Sequence, residues 1–308
     1  MHILALNCLR SIFYSLLVLF LAAVGPGYAQ EKKNEVITWL EPDFPPCFIH
    51  SGPYEGMGYE DVITQILEQE LQGYEYESEI ANVSRIYKEF KQGRQVCHVA
   101  FYRTPERREF MYFSIPNTIT FPVVLVALRE NADLPKAGEM VSLKDVLTRN
   151  DLDAALVSER SYGTTLDVIL SEQGRDSDIH WYFGQDIGEK TLQMVLGGRV
   201  DYTLALPEEV MYWAEHKGVR DRLKVVHLKE NQGDYCSWLG YVACPKTKWG
   251  AKVISDINRV LREVRPLKRY RKAYERWIDE YSLPRYRRLY KEFFLQTGRG
   301  GPGDPCAP

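Results

Sequence analysis

The sequence has no C-x-x-C pair, no H-E-x-x-H and no two histidines spaced i, i+4. The usual signals for zinc and for thioredoxin-like redox chemistry are therefore absent. There is no G-x-S-x-G elbow and no P-loop, and Gly56-Met57-Gly58 lacks the third glycine and the strand context of a dinucleotide fingerprint. An excess of one charge is also missing. Lys and Arg number 39 against 42 Asp and Glu, a net −3, so bulk charge gives nucleic-acid binding no support. The basic stretches Arg265–Arg276 and Arg285–Arg288 are interrupted or flanked by Glu263, Glu275, Asp279 and Glu280, as solvated helix faces are. No cofactor and no metal site is expected.

What is present is ordinary globular material. The chain has 308 residues, 45% hydrophobic and 26% charged, enough for about two domains. One segment departs from that average. Ser11–Val24 runs apolar for 14 residues behind a single cation, Arg10, and Gly27-Tyr28-Ala29 follows with small residues at both cleavage positions. A membrane span needs roughly 20 residues, so this reads as a signal peptide, residues 1–29, cut after Ala29. No second run of that length occurs. A periplasmic, soluble and monomeric product is expected. Removing residues 1–29 takes away Arg10 and no acid, leaving 38 basic against 42 acidic residues, or −4. Five cysteines remain, and in an oxidising compartment four should pair with one left over.

Strand and helix patterns alternate along the chain. Val36–Leu40, Val96–Tyr102, Thr120–Leu128, Asp153–Val157 and Val200–Leu206 read as buried strands. Tyr59–Leu71, Val83–Lys91 and Pro207–Lys217 carry helical spacing, with Asn82 as an N-cap. This alternation predicts an α/β fold with largely parallel sheets. One junction recurs 105 residues apart: a helix end, glycine, Arg, then a buried strand, at Gly93-Arg94 and again at Gly198-Arg199. Two similar α/β lobes would produce that echo.

The most specific segment is Tyr102-Arg103-Thr104-Pro105-Glu106-Arg107-Arg108, followed by Phe113-Ser114-Ile115-Pro116. Thr104 is placed to cap a turn with Pro105 at its first position, and Arg107 in that turn offers a bidentate carboxylate donor. This resembles the T-P-E-R…F-S-x-P signature of the type II periplasmic solute-binding proteins, the family 3 extracellular binders that include polar amino-acid binders. Phe44-Pro45-Pro46-Cys47-Phe48…Gly58-Tyr59-Glu60-Asp61, Tyr162-Gly163-Thr164-Thr165 and Gly197-Gly198-Arg199-Val200-Asp201 are similar to three further motifs of that family, in order, over roughly Val36 to Trp277. The likeness is closer to a subgroup apart from the well-known amino-acid binders.

The resemblance implies a two-lobed fold, each lobe a mixed sheet flanked by helices, joined by two hinge crossings near Leu128–Ala132 and Lys229–Asp234. Lobe 1 would be 33–128 plus 231–295, lobe 2 129–230, and 296–308 a disordered tail. Arg107 matches the arginine that clamps a ligand carboxylate. Tyr102 and Thr104 flank it, Phe44 matches an aromatic wall, and Glu41 an acidic ligand-facing position. Gly163, Thr164 and Thr165 match a loop of donors in the second lobe. Two departures stand out. Leu206 occupies the position where amino-acid binders hold the ligand ammonium with an acid, and Glu208, a plausible substitute, is expected to be an exposed first-turn residue. Ala100 and Phe101 replace small polar residues ahead of the arginine.

The same topology implies disulfides Cys97–Cys244 and Cys47–Cys236, with Cys306 unpaired and Cys236–Cys244 as the rival. The function so implied is capture of a small polar or carboxylate-bearing solute in an interlobe cleft. An ABC transporter permease would be the partner. The alternatives are a dehydratase-like enzyme on this scaffold, with Glu41 or Glu208 as general acid, and a sensory protein without a transport role.

Overall fold

The structure is a computed structural model that describes residues 35–157, 161–173, 178–182, 189–298 and 306. The expected signal peptide lies outside the described residues. Two mixed sheets organise the chain. The first contains β1 (Glu35–Glu41), β2 (Tyr74–Ile80), β3 (Val96–Phe101), β4 (Met111–Ile119) and β11 (Leu239–Pro245), in the order β2-β1-β3-β11-β4. β1 runs parallel to β3, while β11 is antiparallel to both β3 and β4. The second contains β5 (Val124–Leu128), β6 (Met140–Val141), β7 (Ala154–Val157), β8 (Ile179–Tyr182), β9 (Tyr202–Ala205) and β10 (Leu223–Leu228), in the order β6-β10-β5-β9-β7-β8. β7 is parallel to β8 and β9, and β5 is antiparallel to β9 and β10. The antiparallel β5 and β11 make the sheets mixed rather than largely parallel, because each returns the chain to a sheet from the far side.

Helices α1 (Tyr59–Glu70), α2 (Val83–Lys91), α3 (Leu143–Leu147), α4 (Thr164–Gln173), α5 (Glu189–Leu196) and α6 (Pro207–His216) follow strands within this order. The C-terminal helices α7 (Lys248–Val264), α8 (Lys268–Glu275) and α9 (Leu283–Glu292) come last. Their starts are set locally. Asn82 accepts from the Arg85 amide at 2.9 Å, Ser142 from Asp145 at 3.3 Å and Thr247 from Gly250 at 3.0 Å, satisfying amides that the first turn leaves open. The repeated helix–Gly–Arg junction ends α2 and α5 identically. The Gly93 amide donates to the Phe90 carbonyl and Arg94 to Glu89; Gly198 donates to Val195 and Arg199 to Met194. Both glycines have positive φ, +71° and +64°, which completes a Schellman cap in each case. The two strands that follow, β3 and β9, occupy the interiors of the two sheets.

On the first sheet, Trp39, Leu67, Ile257, Tyr274, Trp277 and Tyr286 form a large core with α1 and the C-terminal helices, while Leu40, Ile86, Phe90 and Phe101 pack on the other face. The second sheet also has apolar residues on both faces.

Three expectations change. The first crossing is not at Leu128–Ala132. β5 already pairs with β9 and β10, so the chain passes between sheets at residues 120–123, where Pro122 follows the end of β4. The return crossing spans residues 229–238, between β10 and β11. Second, Cys47 does not pair with Cys236. Cys97 is bonded to Cys244 across neighbouring strands β3 and β11, Cys236 is bonded to Cys306, and Cys47 is a buried free thiol. Third, residues 296–298 and Cys306 of the expected disordered tail are held in place, while the rest of that segment lies outside the described residues. Arg265 Nη2 donates to the Phe294 and Thr297 carbonyls, and Arg103 Nη2 donates to the Cys306 carbonyl at 2.7 Å. Those carbonyls give two arginine side chains acceptors that sequence spacing does not reveal.

Candidate binding cleft

A cavity of about 590 Å³ opens at the carboxyl ends of β1 and β3. Pro42, Asp43 and Phe44 enter it from the segment after β1, Ala100, Phe101 and Tyr102 from the end of β3, and Leu206 and Glu208 from the turn after β9 of the second sheet. Strand ends of this kind are where open α/β sheets bind ligands. A smaller cavity of about 400 Å³ shares Tyr102, Thr120 and Leu206 with it and reaches Gly163 and Thr165.

Arg107 lines the larger cavity. Its backbone amide donates to Thr104 Oγ1 at 3.3 Å, so Thr104 does cap the turn, which is a single 3-10 turn over Arg107–Glu109. The guanidinium is fixed by Nε donating to the Tyr87 hydroxyl at 2.6 Å and Nη1 to the Tyr102 carbonyl at 2.7 Å. It also lies over the Phe101 ring at 5.0 Å and the Tyr87 ring at 5.6 Å. Nη2 has no hydrogen-bond partner among the described residues. A carboxylate would therefore meet Arg107 end-on, through Nη2 and the second hydrogen of Nη1.

The other anticipated residues divide. Phe44 is partly exposed and forms one wall. Tyr102 is half exposed as a residue, but its hydroxyl turns inward to Thr120, and burial, followed by the charge of Glu208, pushes it up to about 12. Thr104 lines neither cavity and acts through Arg107. Glu41 lies elsewhere. It lines a separate hollow with His50, Asp61 and Glu68, and burial, with Asp61 next, raises it to about 7. Of the two acids an enzymatic reading would use, only Glu208 faces the cleft.

Glu208 is not an exposed helix acid. It is 3% exposed, and its Oε2 accepts from the Tyr274 hydroxyl at 2.8 Å, because the C-terminal helices cover the start of α6. Gly163 has φ +106°, and its amide donates to Ser161 Oγ at 3.3 Å, while the Tyr162 amide donates to Asp167 Oδ1 at 2.7 Å. That loop has thus already committed two of its donors to its own side chains. The Thr164 side chain lies outside the described residues.

Sequence reading missed Glu60, His98, Thr118 and Thr120 as cavity residues. His98 is buried, and its Nδ1 lies 2.7 Å from the Leu40 carbonyl. A carbonyl only accepts, so Nδ1 carries the hydrogen, and burial lowers the imidazole to about 4, keeping it neutral. Glu60 had a signal, a carboxylate in the first turn of an apolar-faced helix beside a glycine, but its burial is a tertiary fact. Among the described residues no group of three or more His, Cys, Asp or Glu is arranged to hold a metal ion. No helix among them is long and apolar enough to cross a membrane.

The family model for bacterial extracellular solute-binding proteins, family 3, matches residues 36–280. No curated protein sequence matches the chain. Among solved structures, an ancestral cationic amino-acid solute-binding protein, AncCDT-1, aligns with a TM-score of 0.60 at 20% identity, covering 80% of this chain and 97% of its own. A structure from work on glutathione import via GshT and the cystine ABC importer TcyBC of Streptococcus mutans aligns at 0.54 and 15% identity, covering 79% and 95%. A histidine kinase sensor domain with similarity to periplasmic binding proteins aligns at 0.50 and 19% identity, covering 79% and 95%.

Proposed function

Because the chain belongs to the bacterial extracellular solute-binding proteins of family 3, we propose that it captures a small carboxylate-bearing solute in the cleft between its two sheets. After export and cleavage behind Ala29 it would hand that solute to a membrane transporter. The observation that carries this reading is the convergence of Arg107 and Tyr102 from the first sheet with Leu206 and Glu208 from the second on one cavity of about 590 Å³. A solute touching both sides adds contacts only when the sides approach, which shifts the population toward the closed form. The two crossings at residues 120–123 and 229–238 are the hinge in this reading. Arg107 supplies the positive charge, while Phe44 and Tyr102 supply apolar walls.

Thermal-shift screening of the full chain against a panel of small carboxylates tests this. A stabilising carboxylate is expected, and Arg107→Ala should weaken it roughly tenfold or more, since a hydrogen bond to a charged group is worth about 1.5–3 kcal/mol. Carboxylate binding that survives Arg107→Ala unchanged would refute the clamp. Delivery is tested by uptake of that carboxylate in cells with and without the protein.

A further inference from the structure

The larger cavity is walled by more apolar surface than a small polar solute would use. Phe44, Ile80 and Tyr102 are 41%, 61% and 51% exposed, and all three line it beside the ends of β1, β2 and β3. With its hydroxyl bonded to Thr120, Tyr102 offers mainly its ring. Phe48, His98 and Phe101 also line the cavity and form a row of rings, with centroids 5.7 Å and 4.3 Å apart along it. His98 is neutral there, so the row carries no charge. Arg107 lies over the Phe101 ring at 5.0 Å. Among the described residues it is the only Arg or Lys lining the cavity, and it stands at the end of this aromatic row. The second sheet contributes Leu206, which packs against that sheet's own core.

A solute ammonium in this cavity would need an ionised acceptor, because a charge taken out of water and left unpaired is costly. Among the described residues three acids line the cavity, Asp43, Glu60 and Glu208. Glu60 is enclosed. Its Oε2 accepts from Asn117 Nδ2 at 2.9 Å, its Oε1 is buried, and burial drives the carboxyl well above its usual range, so it holds a proton. Glu208 is buried too, with Oε2 taken by the Tyr274 hydroxyl at 2.8 Å. Asp43 is exposed, and an ion pair made in solvent contributes little. Apolar wall left open to water, by contrast, rewards any apolar body that covers it.

We propose that the solute is an aromatic or branched-chain carboxylate without an amino group, its carboxylate on Arg107 and its apolar body against Phe44, Ile80 and Leu206. The inference rests on reading the cavity as a carboxylate cleft and adds what the rest of the solute must be. Phe44, Ile80 and Leu206 are then the residues that set specificity. The first two cover the solute from the first sheet, and Leu206 meets it from the second with a side chain that offers an ammonium no acceptor.

The test titrates the full chain by calorimetry with acetate, 3-methylbutanoate, 3-phenylpropanoate and L-phenylalanine. The last two share a carbon skeleton and differ by the ammonium. Affinity should rise from acetate to 3-methylbutanoate to 3-phenylpropanoate, by roughly tenfold or more over the series, as apolar surface is covered. L-phenylalanine should bind roughly tenfold or more weakly than 3-phenylpropanoate, because its ammonium loses water without gaining a buried partner. Phe44→Ser and Ile80→Ser, both at exposed positions, should each narrow the preference for 3-phenylpropanoate over acetate by roughly threefold or more. Three results would each overturn the proposal: 3-phenylpropanoate binds no tighter than acetate, L-phenylalanine binds as tightly as 3-phenylpropanoate, or both variants keep the full preference. The first two use the wild type alone and do not depend on a variant folding. Failure of the carboxylate reading itself looks different. Arg107→Ala would then leave every carboxylate affinity untouched, whereas failure of this inference removes the preference and keeps the dependence on Arg107.

Discussion

At the level of single residues, chemistry was legible where it depends on local geometry and hidden where it depends on burial. Arg107 and its Thr104 cap follow from a short motif, because a capped turn fixes the arginine's backbone within a few residues. Glu41 and Glu60 are both acids beside apolar runs, and only the packed fold separates them, one into the cleft and one away from it. Glu41 carries a pH consequence of its own. Its folded value of about 7 exceeds the ordinary 4.5, mainly because burial disfavours the charge. Between those values the folded chain holds a proton that the unfolded chain has lost. Stability from this group therefore falls as pH rises through the window and is lowest above about 7. Glu41→Gln removes the charge, so it should melt higher than wild type at pH 8, by roughly 2–4 °C. The gain should vanish near pH 4. His98 and His227, both lowered to about 4, push wild-type stability the other way below pH 6.5, but they are common to both proteins and drop out of the difference. Coincident melting of the two proteins at pH 8 would show that Glu41 bears no buried charge.

Among elements, the helices and most strands could be read from periodicity, caps and the two Schellman ends, since those are short-range features. The crossings and cysteine partners could not, because β5 reads the same whichever sheet it joins, and a lone Cys306 beyond a Gly/Pro-rich stretch gives no sign of its partner. The Cys236–Cys306 bond closes 70 residues of chain that include all three C-terminal helices. In the chain-entropy account a loop of that length contributes up to roughly 4 kcal/mol by restricting the unfolded chain. The double variant Cys236→Ser/Cys306→Ser, which leaves no odd thiol to mispair with Cys47, should therefore lower the melting temperature by several degrees under non-reducing conditions. An unchanged melting curve would mean that the Cys236–Cys306 bond contributes nothing to holding those helices.

Across the whole molecule, two crossings alone would leave the sheets free to rotate about a hinge, the default for lobes joined in this way. The C-terminal helices add a third tie. They pack in the core of the first sheet through Tyr274, Trp277 and Tyr286, yet reach residues of the second. Arg220 Nη2 donates to the Ile278 carbonyl at 2.8 Å, Arg129 Nη1 to the Tyr281 hydroxyl at 3.0 Å, and His227 Nε2 lies 3.0 Å from Ser282 Oγ. The Tyr274–Glu208 bond adds a link at the cleft itself. These contacts are distributed over β10, the start and far side of α6, and the segment after β5, so they oppose rotation about more than one axis. Motion on binding must then either carry the strap along with the second sheet or break it. Arg129→Ala/Arg220→Ala removes two ties while leaving both cores and the cleft residues in place. Small-angle scattering of the solute-free variant should show a larger radius of gyration and a broader distance distribution than wild type. Superimposable scattering curves would mean that the two crossings already set the resting separation, and that the strap only follows it.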